Sequence, residues 1–167
     1  MGEETGKVFK KYAVVAVGGT FDHIHKGHKH LLQKAFSAGN KVLIGITSDS
    51  FCKSKAYPER LQNYSSRKRG VLAYLKTSFE NPVFRIIKLY DKYGPAISNK
   101  ELEAIVVTEQ TVKTAEEINE IRIEKGLKPL DILLADLIRA YDNTPISSTR
   151  IRKGEITQNG SRFSGKE

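Results

Sequence analysis

Short apolar runs alternate with segments of helical periodicity along most of the chain. The apolar runs are rich in β-branched residues, as in strands covered on both faces, and predict five strands at 12–17, 41–47, 83–88, 104–108 and 131–134. Apolar residues at helical spacing predict helices at 29–38, 66–77 and 115–124, and a last helix begins near Ser148. This alternation indicates an α/β fold, a parallel sheet with helices on both faces.

The pattern fits one domain. With 167 residues, of which 39% are hydrophobic, the chain is long enough for one α/β core and too short for two. Leu72, Leu75 and Phe79 are spaced for burial on one helix face and are expected in that core. We expect a domain at 1–156 and a flexible tail at 157–167, because the tail is rich in Gly, Ser and charge.

The formal net charge of +9 is compatible with two kinds of partner. Clustered basic residues bind nucleic acid, whereas dispersed ones can steer small polyanions into a cleft. Lys and Arg are spread along this chain with few aromatic residues between them, so we expect small anionic substrates and no nucleic acid. The basic residues expected near the ends of strands are Lys53, Lys55, Arg67, Arg150 and Arg152.

Cysteine usage and hydropathy predict the compartment. The single cysteine, Cys52, excludes an internal disulfide and is expected to be a buried filler in a reducing environment. The sequence has no apolar run of about 18 residues and no hydrophobic signal core at its N-terminus. We therefore expect a cytoplasmic protein with no membrane partner.

Residues 18–28, Gly-Gly-Thr-Phe-Asp-His-Ile-His-Lys-Gly-His, join the first predicted strand to the first predicted helix. Gly18 and Gly19 allow a turn and a close approach to a ligand. The free N–H groups and the positive dipole end of the helix would face the carboxyl end of the strand, where an anion would be held. The segment therefore predicts a phosphate site.

A second anion site is predicted at the start of the last helix. Ser147, Ser148 and Thr149 place three hydroxyls there, with Arg150 and Arg152 behind them. An ordinary N-cap needs only one hydroxyl, so the run favours binding of a triphosphate.

Four histidines at positions 23, 25, 28 and 30 also suggest a zinc site. Their spacing is crowded and lacks cysteine or carboxylate partners, so we predict no protein metal site. His23 and His30 are expected to be exposed or packed on the helix.

Several motifs identify a family. His25-Lys26-Gly27-His28 matches the His/Thr-x-Gly-His signature of the nucleotidyltransferase superfamily, and residues 18–22 match its first turn. The later motifs resemble the archaeal and eukaryotic type of phosphopantetheine adenylyltransferase, and the resemblance covers roughly residues 11–153. These motifs are Lys-Ser-Lys at 53–55, Tyr-Asp-Lys-Tyr-Gly-Pro at 90–95, Val-Val-Thr-Glu-Gln-Thr at 106–111, Ile-Asn-Glu-Ile-Arg at 118–122 and Ile-Ser-Ser-Thr-Arg-Ile-Arg at 146–152.

The resemblance implies a Rossmann-like nucleotidyltransferase fold and a reaction in coenzyme A biosynthesis. AMP moves from ATP to 4'-phosphopantetheine by direct in-line transfer, which gives dephospho-coenzyme A and pyrophosphate. Mg²⁺ would bridge the ATP phosphates, held mostly by phosphate oxygens and water. The implied catalytic residues are His28, which would donate to the α or β phosphate, Thr20, which would orient the acceptor phosphate, and Lys53, which would bridge that phosphate to the α phosphate.

The remaining implied site residues fall into two groups. Those on the ATP side are Gly18, Gly19, Phe21, His25, Gly27, Asn119, Arg122, Ser147, Ser148, Thr149 and Arg150. Those on the acceptor side are Thr20, Lys53, Tyr93, Thr108 and Glu109. The bacterial enzymes carry ATP-binding arginines after the fourth strand, where this chain has Thr108 and Thr111, so Arg122 and Lys113 are candidate replacements.

Some of these residues have a structural alternative. Residues 90–95 form either a simple turn or a wall of the pantetheine site, and Glu109 is either a solvated charge or a contact for the pantetheine amides. Asn119 and Arg122, three residues apart on one helix, form either a surface pair or an adenine contact.

Two other functions remain open at the level of sequence. One is another nucleotidyl transfer, to nicotinamide mononucleotide or flavin mononucleotide or from CTP. The other is a nucleotide-binding module without turnover. The sequence does not give the oligomeric state, for which a monomer is one option.

Overall fold

One parallel sheet of five strands forms the centre of the computed structural model, which describes residues 9–165. The strands are β1 (Tyr12–Gly19), β2 (Gly39–Thr47), β3 (Phe84–Leu89), β4 (Ala104–Val107) and β5 (Asp131–Leu134). The helices are α1 (Lys26–Ala38), α2 (Tyr64–Ser78), α3 (Val112–Glu124) and α4 (Ser148–Lys153), and short 3₁₀ turns cover Pro58–Arg60 and Gly94–Ile97. The predicted order of strands and helices is confirmed.

The strands lie in the order β3-β2-β1-β4-β5, and every neighbouring pair is parallel. The chain builds outward from β1 to β3 and then crosses to β4 on the other side of β1. Val17 of β1 accordingly pairs with Ile44 of β2 on one side and with Val106 of β4 on the other. Ligands of such sheets bind beyond the carboxyl ends of the strands where the order reverses, which is the end of β1 beside β4.

Helices cover both faces of the sheet, as predicted. Val15 and Val17 point to one face and pack in the same apolar cluster as Leu32 of α1 and Leu75 of α2. The side chains between them point to the opposite face, where the cluster includes Ile118 of α3. This burial on both faces explains why the strands are apolar without a polar alternation.

One of the predicted core residues of α2 lies at the surface. Leu75 is buried and Phe79 packs against the same core, which confirms those two predictions, whereas Leu72 is 38% exposed. The buried stripe of α2 consists instead of Arg67, Val71 and Leu75, which follow one another four residues apart. Because Arg67 occupies one position of this buried stripe, the apolar residues alone indicated a different face of the helix as buried.

The C-terminal segment differs from the flexible tail that its composition indicates. Ile156 and Arg162 form an antiparallel bridge, so residues 155–162, here named the C-terminal turn, fold back on themselves. Gly160 is buried with a φ of +78°, and a Cβ there would lie 2.7 Å from Ile146. The glycine thus serves a left-handed turn and a close packing contact, and the prediction of a tail from residue 157 is corrected. Residues 163–165 are exposed, and 166–167 of the predicted tail lie outside the described residues.

Candidate active site

The first turn, residues 20–25, places a phenylalanine beneath the second signature histidine. Phe21 and His23 both have positive φ angles, 53° and 45°, in a conformation that few residues other than glycine adopt. Phe21 is fully buried, and its ring centroid lies 5.2 Å from that of His28. Phe21 therefore supports the His28 ring from within the core, and its predicted contact with ATP stays a prediction.

His25 caps α1 with its own side chain. Its Nδ1 atom accepts hydrogen bonds from the backbone N–H groups of Gly27 at 3.0 Å and His28 at 3.4 Å. In return the backbone N–H of His25 donates to Nδ1 of His28 at 3.2 Å, which completes a capping box made of two histidines. The two rings stack with their centroids 3.7 Å apart.

This arrangement fixes the protonation of both rings. Burial lowers the pKa of His25 to about 4, against a smaller opposing effect of Asp22. Burial and the neighbouring His25 hold the pKa of His28 well below its ordinary value of 6.5. Because each Nδ1 accepts a hydrogen bond, the single proton of each neutral ring resides on Nε2. The pair therefore presents two neutral N–H donors at neutral pH.

The backbone N–H groups at the start of α1 already have partners, contrary to the sequence-based prediction. Lys26 N–H donates to the carbonyl of Gln158 in the C-terminal turn at 3.2 Å, and those of Gly27 and His28 donate to the His25 ring. The Nε2–H groups of the two imidazoles are thus the donors that this helix end offers, polarised by the amides behind them.

Gly27 is required by the His25 cap. A Cβ on Gly27 would lie 2.9 Å from Cε1 of the His25 ring and 3.0 Å from its Nδ1, closer than real Cβ atoms approach. The glycine in the signature therefore makes room for the capping imidazole. Its predicted contact with ATP stays a prediction.

The two other proposed catalytic residues follow neighbouring strands. Thr20 comes directly after β1, and its Oγ1 accepts a hydrogen bond from the hydroxyl of Thr47, the last residue of β2, at 3.1 Å. Lys53 lies in the exposed turn after β2 and has no hydrogen bond or ion pair with another side chain of residues 9–165. Both residues therefore lie beyond the carboxyl ends of the strands, as predicted for a parallel sheet.

A mostly apolar cavity of about 200 Å³ opens between the sheet and α3. Gly18 and Gly19 at the end of β1 line it, together with Leu89 of β3 and Ala115 of α3. Tyr93 forms part of its wall, and the Tyr93 hydroxyl is held by Glu117 of α3 at 2.9 Å. The cavity therefore extends from the end of β1 to the loop at 90–95. This favours the interpretation of that loop as a wall of the pantetheine site over that of a simple turn.

Thr108 and Glu109, predicted on the acceptor side, do not line this cavity. Thr108 N–H donates to the Thr111 hydroxyl at 3.1 Å within the turn after β4. Glu109 lines a second, polar depression of about 310 Å³ with Asp136 and Arg139, beyond the end of β5. The pantetheine contacts of Thr108 and Glu109 stay predictions.

Asn119 and Arg122 bind the chain itself. The Asn119 amide exchanges two hydrogen bonds with the backbone of Leu130, at 2.7 and 2.9 Å. Arg122 is 1% exposed, and its guanidinium donates to the carbonyls of Lys128, Ala96 and Asn99. The two side chains fix the loops around α3 and do not form a pair with each other. Their predicted contacts with ATP stay predictions.

The hydroxyls at the start of α4 have protein partners. Ser147 is the N-cap and accepts from the Arg150 N–H at 3.3 Å, while the Ser148 hydroxyl donates to the Asp22 carbonyl at 2.8 Å. Thr149 accepts from Arg152 at 3.3 Å. Because Ser147 and Thr149 only accept in these contacts, their own protons remain to be donated, and their predicted contacts with ATP stay predictions. The Ser148 proton is donated to the Asp22 carbonyl, and the predicted contact of Ser148 with ATP also stays a prediction.

Arg150 is neutralised by two carboxylates. It forms ion pairs with Asp142 and, at 3.0 Å, with Glu155, and its predicted contact with the ATP phosphates stays a prediction. Arg152 is buried and paired with the fully buried Asp22 at 2.7 Å. This second pair joins α4 to the first turn.

Sequence reasoning missed the structural roles of Arg67, Asp22 and Arg152. Arg67 is fully buried and binds backbone at the ends of β1 and β2. A signal for it was present, because Val71 and Leu75 follow at four-residue intervals and place Arg67 on the buried stripe of α2. The same rule places Arg122 on one stripe with Ala115 and Ile118.

Comparison with known proteins agrees with the site. The profile of the family described as Cytidylyltransferase-like matches residues 16–154. The chain is 44% identical over 151 residues to the phosphopantetheine adenylyltransferase of Methanothermobacter thermautotrophicus, covering 90% of each chain. It is 49% identical over 148 residues to that of Thermococcus kodakarensis, covering 88% of each.

A solved structure shows the same fold. A crystal structure described as a protein with unknown function from Archaeoglobus fulgidus superposes with a TM-score of 0.64 at 32% identity, covering 73% of this chain and 88% of that one. The chain thus belongs to the cytidylyltransferase-like family, and within that family to the phosphopantetheine adenylyltransferases. Among the helices of residues 9–165, none is long and apolar enough to cross a bilayer.

Proposed function

We propose that this protein transfers AMP from ATP to 4'-phosphopantetheine and releases dephospho-coenzyme A and pyrophosphate, a step of coenzyme A biosynthesis. The observation that carries the proposal is the pair of neutral imidazole donors at the switch point of the sheet, next to a mostly apolar cavity. The relatives named phosphopantetheine adenylyltransferase support the same assignment.

The reaction proceeds by direct in-line transfer. An acceptor phosphate is already ionised at neutral pH, so it can attack the α-phosphorus of ATP without a general base and without a covalent enzyme intermediate. Catalysis then consists of aligning the two phosphates and stabilising the charge that builds on their oxygens. Neutral donors suit this task because they bind the developing charge and need not exchange a proton.

Four residues carry the proposed chemistry. His28 donates from Nε2 to the α or β phosphate as charge develops, and His25 holds the β and γ phosphates in the same way. Thr20 orients the acceptor phosphate with its hydroxyl, and Lys53 bridges that phosphate to the α phosphate. A donor that binds only the developing charge contributes about 2.7–4 kcal/mol by analogy with oxyanion holes.

The apolar cavity accepts the pantetheine arm. That arm is uncharged, and its methyl and methylene groups can pack on the apolar lining, while its amides require polar partners at the edge of the cavity. Gly18 lies both at the end of β1 and on the cavity lining, which supports a path from the reacting phosphate into the cavity. Tyr93 contributes its ring to the wall, where the bond to Glu117 holds its position.

Mg²⁺ would neutralise negative charge on the triphosphate when it is bound. The carboxylates nearest the first turn are already engaged, since Asp22 pairs with Arg152 and Asp49 pairs with Arg67. Within residues 9–165 no cluster of three or more histidine, cysteine or carboxylate side chains could hold a metal by itself. Because the carboxylates Asp22 and Asp49 are already paired, the site fits an Mg²⁺ ion that is coordinated mainly by phosphate oxygens and water.

A cytoplasmic location stays a prediction. The ATP requirement of the proposed reaction and the single cysteine support it. Binding of small molecules in place of nucleic acid likewise stays a prediction, supported by the two cavities at the carboxyl edge of the sheet.

Pyrophosphate release from ATP and Mg²⁺ tests the proposal when 4'-phosphopantetheine is compared with nicotinamide mononucleotide, flavin mononucleotide and, with CTP, glycerol phosphate. We expect release with phosphopantetheine alone and dephospho-coenzyme A in equal amount. Release with another acceptor would keep the chemistry and overturn the substrate. If no acceptor leads to pyrophosphate release, the remaining interpretation is a nucleotide-binding module without turnover.

A further inference from the structure

Arg67 places a positive charge in the interior, directly beneath the proposed acceptor site. Arg67 is the fourth residue of α2 and is fully buried. Burying a guanidinium is unfavourable unless its donors are satisfied, so the hydrogen bonds of Arg67 must offset the cost of its burial.

The guanidinium of Arg67 bonds to the ends of two strands at once. Nη1 donates to the carbonyl of Thr20 and to that of Thr47, each at 2.8 Å. Nη2 donates to Oδ1 of Asp49 at 2.9 Å, and Nε donates to the carbonyl of Gln62 at 2.9 Å. One rigid plane therefore fixes the exit of β1, the exit of β2 and the segment that leads into α2.

Both proposed ligands of the acceptor phosphate emerge from these exits. Thr20 is itself bonded to Arg67, and Lys53 lies in the turn that Asp49 opens. A second bond links the same two exits, from the Thr47 hydroxyl to the Thr20 hydroxyl at 3.1 Å. The relative position of Thr20 and Lys53 thus depends on the fork of Arg67.

We propose that Arg67 is a positioning residue for the acceptor phosphate. It does not reach the substrate, because no part of it is exposed, and it acts through Thr20 and the turn that carries Lys53. The proposal rests on the proposed function of those two residues. Lysine cannot replace Arg67, since an ammonium group lacks the planar fork that reaches Thr20, Thr47 and Asp49 together.

The test compares Arg67→Lys with wild type in steady-state kinetics. Misplacement of a reacting group by about 1 Å costs roughly 100-fold, so we expect kcat to fall by about 10- to 100-fold. We expect KM for 4'-phosphopantetheine to rise while KM for ATP stays close to the wild-type value. Unchanged kcat and unchanged KM for phosphopantetheine in the folded variant would overturn the proposal, as would equal increases in both KM values.

A matched control separates positioning from general destabilisation. Leu75 lies on the same buried stripe of α2 two turns after Arg67, is 1% exposed and does not line the apolar cavity. Leu75→Ala should lower Tm by leaving a cavity in the core, without the drop in kcat. Equal kinetic losses in both variants would indicate a merely structural role for Arg67 and would overturn the proposal.

Asp49→Ala keeps the experiment decisive if Arg67→Lys fails to fold. The Asp49 side chain is 58% exposed, so its loss breaks one arm of the fork at the surface and leaves the core bonds in place. We expect a severalfold higher KM for phosphopantetheine and an unchanged KM for ATP, and wild-type values for both would contradict the proposal. If the wild-type protein itself makes no dephospho-coenzyme A, it is the proposed function that fails.

Discussion

Each signature histidine holds the fold with one nitrogen of its ring and leaves the other nitrogen for the proposed chemistry. Nδ1 of His25 accepts from the backbone of α1, and Nδ1 of His28 accepts from the backbone of His25. These bonds orient the rings and leave Nε2–H of each as the donor. The capping box therefore makes the donors ready before a substrate arrives, which is the condition for electrostatic stabilisation without reorganisation.

His28→Ala should lower kcat by about 100-fold or more with little change in fold, because the variant loses a donor to the transition state. Steady-state rates and thermal unfolding measure the two effects. His30→Ala is the matched control, since His30 lies on the same helix outside the signature. Near-normal turnover of His28→Ala would end its proposed role.

Gly27→Ala should lower kcat by about tenfold or more, because the new Cβ displaces the His25 ring that lies 2.9 Å away. Gly70→Ala is the control, because a Cβ on that helical glycine meets Ile24 at an ordinary 3.6 Å and alanine favours the helix. Kinetics and Tm are measured for both variants. Wild-type activity in Gly27→Ala would show that the cap does not position His25.

At the scale of elements, the start of α1 depends on a segment more than a hundred residues away. The carbonyl of Gln158 accepts the Lys26 N–H, and Gly160 packs on Ile146 just before α4. The C-terminal turn thus braces both helix ends that face the proposed ATP site. The C-terminal turn therefore holds the starts of α1 and α4 in place together, although the two helices are remote in sequence.

Deletion of residues 158–167 should lower Tm by several degrees and lower kcat, because α1 loses a cap and residues 140–146 lose their packing. Deletion of 164–167 is the control, since the described part of that segment is exposed. Circular dichroism melting and the pyrophosphate assay measure the outcome. Full activity and stability after the longer deletion would contradict a bracing role.

The strands and helices themselves were largely predictable from the sequence, whereas the hydrogen bonds and packing contacts of their side chains were not. The order of strands and helices along the chain follows from the alternation of patterns, but α1 begins at Lys26, three residues before the predicted start. Histidine is not among the usual N-cap residues, so the capping by His25 carried no sequence signal. Likewise, the spacing of Asn119 and Arg122 shows that they share a helix face but not that the face packs on the loop at 128–130.

At the scale of the whole molecule, the positive charge matches the anionic substrates. The net charge of +9 already counts the carboxylates that pair with Arg150, Arg152 and Arg67, so it is an excess of unpaired positive charge. Lys53 stays exposed at the carboxyl edge of the sheet, where ATP and phosphopantetheine must meet. A field of this sign raises the rate at which polyanions reach the cleft.

Increasing the salt concentration should lower kcat/KM for both substrates and change kcat much less, because salt screens steering at long range and affects buried contacts weakly. Initial rates from about 0.02 to 0.5 M salt at fixed free Mg²⁺ measure this effect. A variant with two exposed lysines remote from the site replaced, Lys76→Glu and Lys125→Glu, should show a weaker dependence. A kcat/KM that does not depend on salt would contradict steering.

The central claim is that two neutral imidazoles, each protonated on Nε2, form the donor pair of the site, and long-range ¹H–¹⁵N NMR spectra of His25 and His28 test it most directly. Because burial lowers both pKa values, with that of His25 at about 4, we expect both rings to keep a bare Nδ1 and a protonated Nε2 at neutral pH, and the His25 ring to keep them down to pH 5. His23→Ala and His30→Ala assign the remaining signals. Titration of either ring near pH 6.5, or a proton on Nδ1 at neutral pH, would contradict the account.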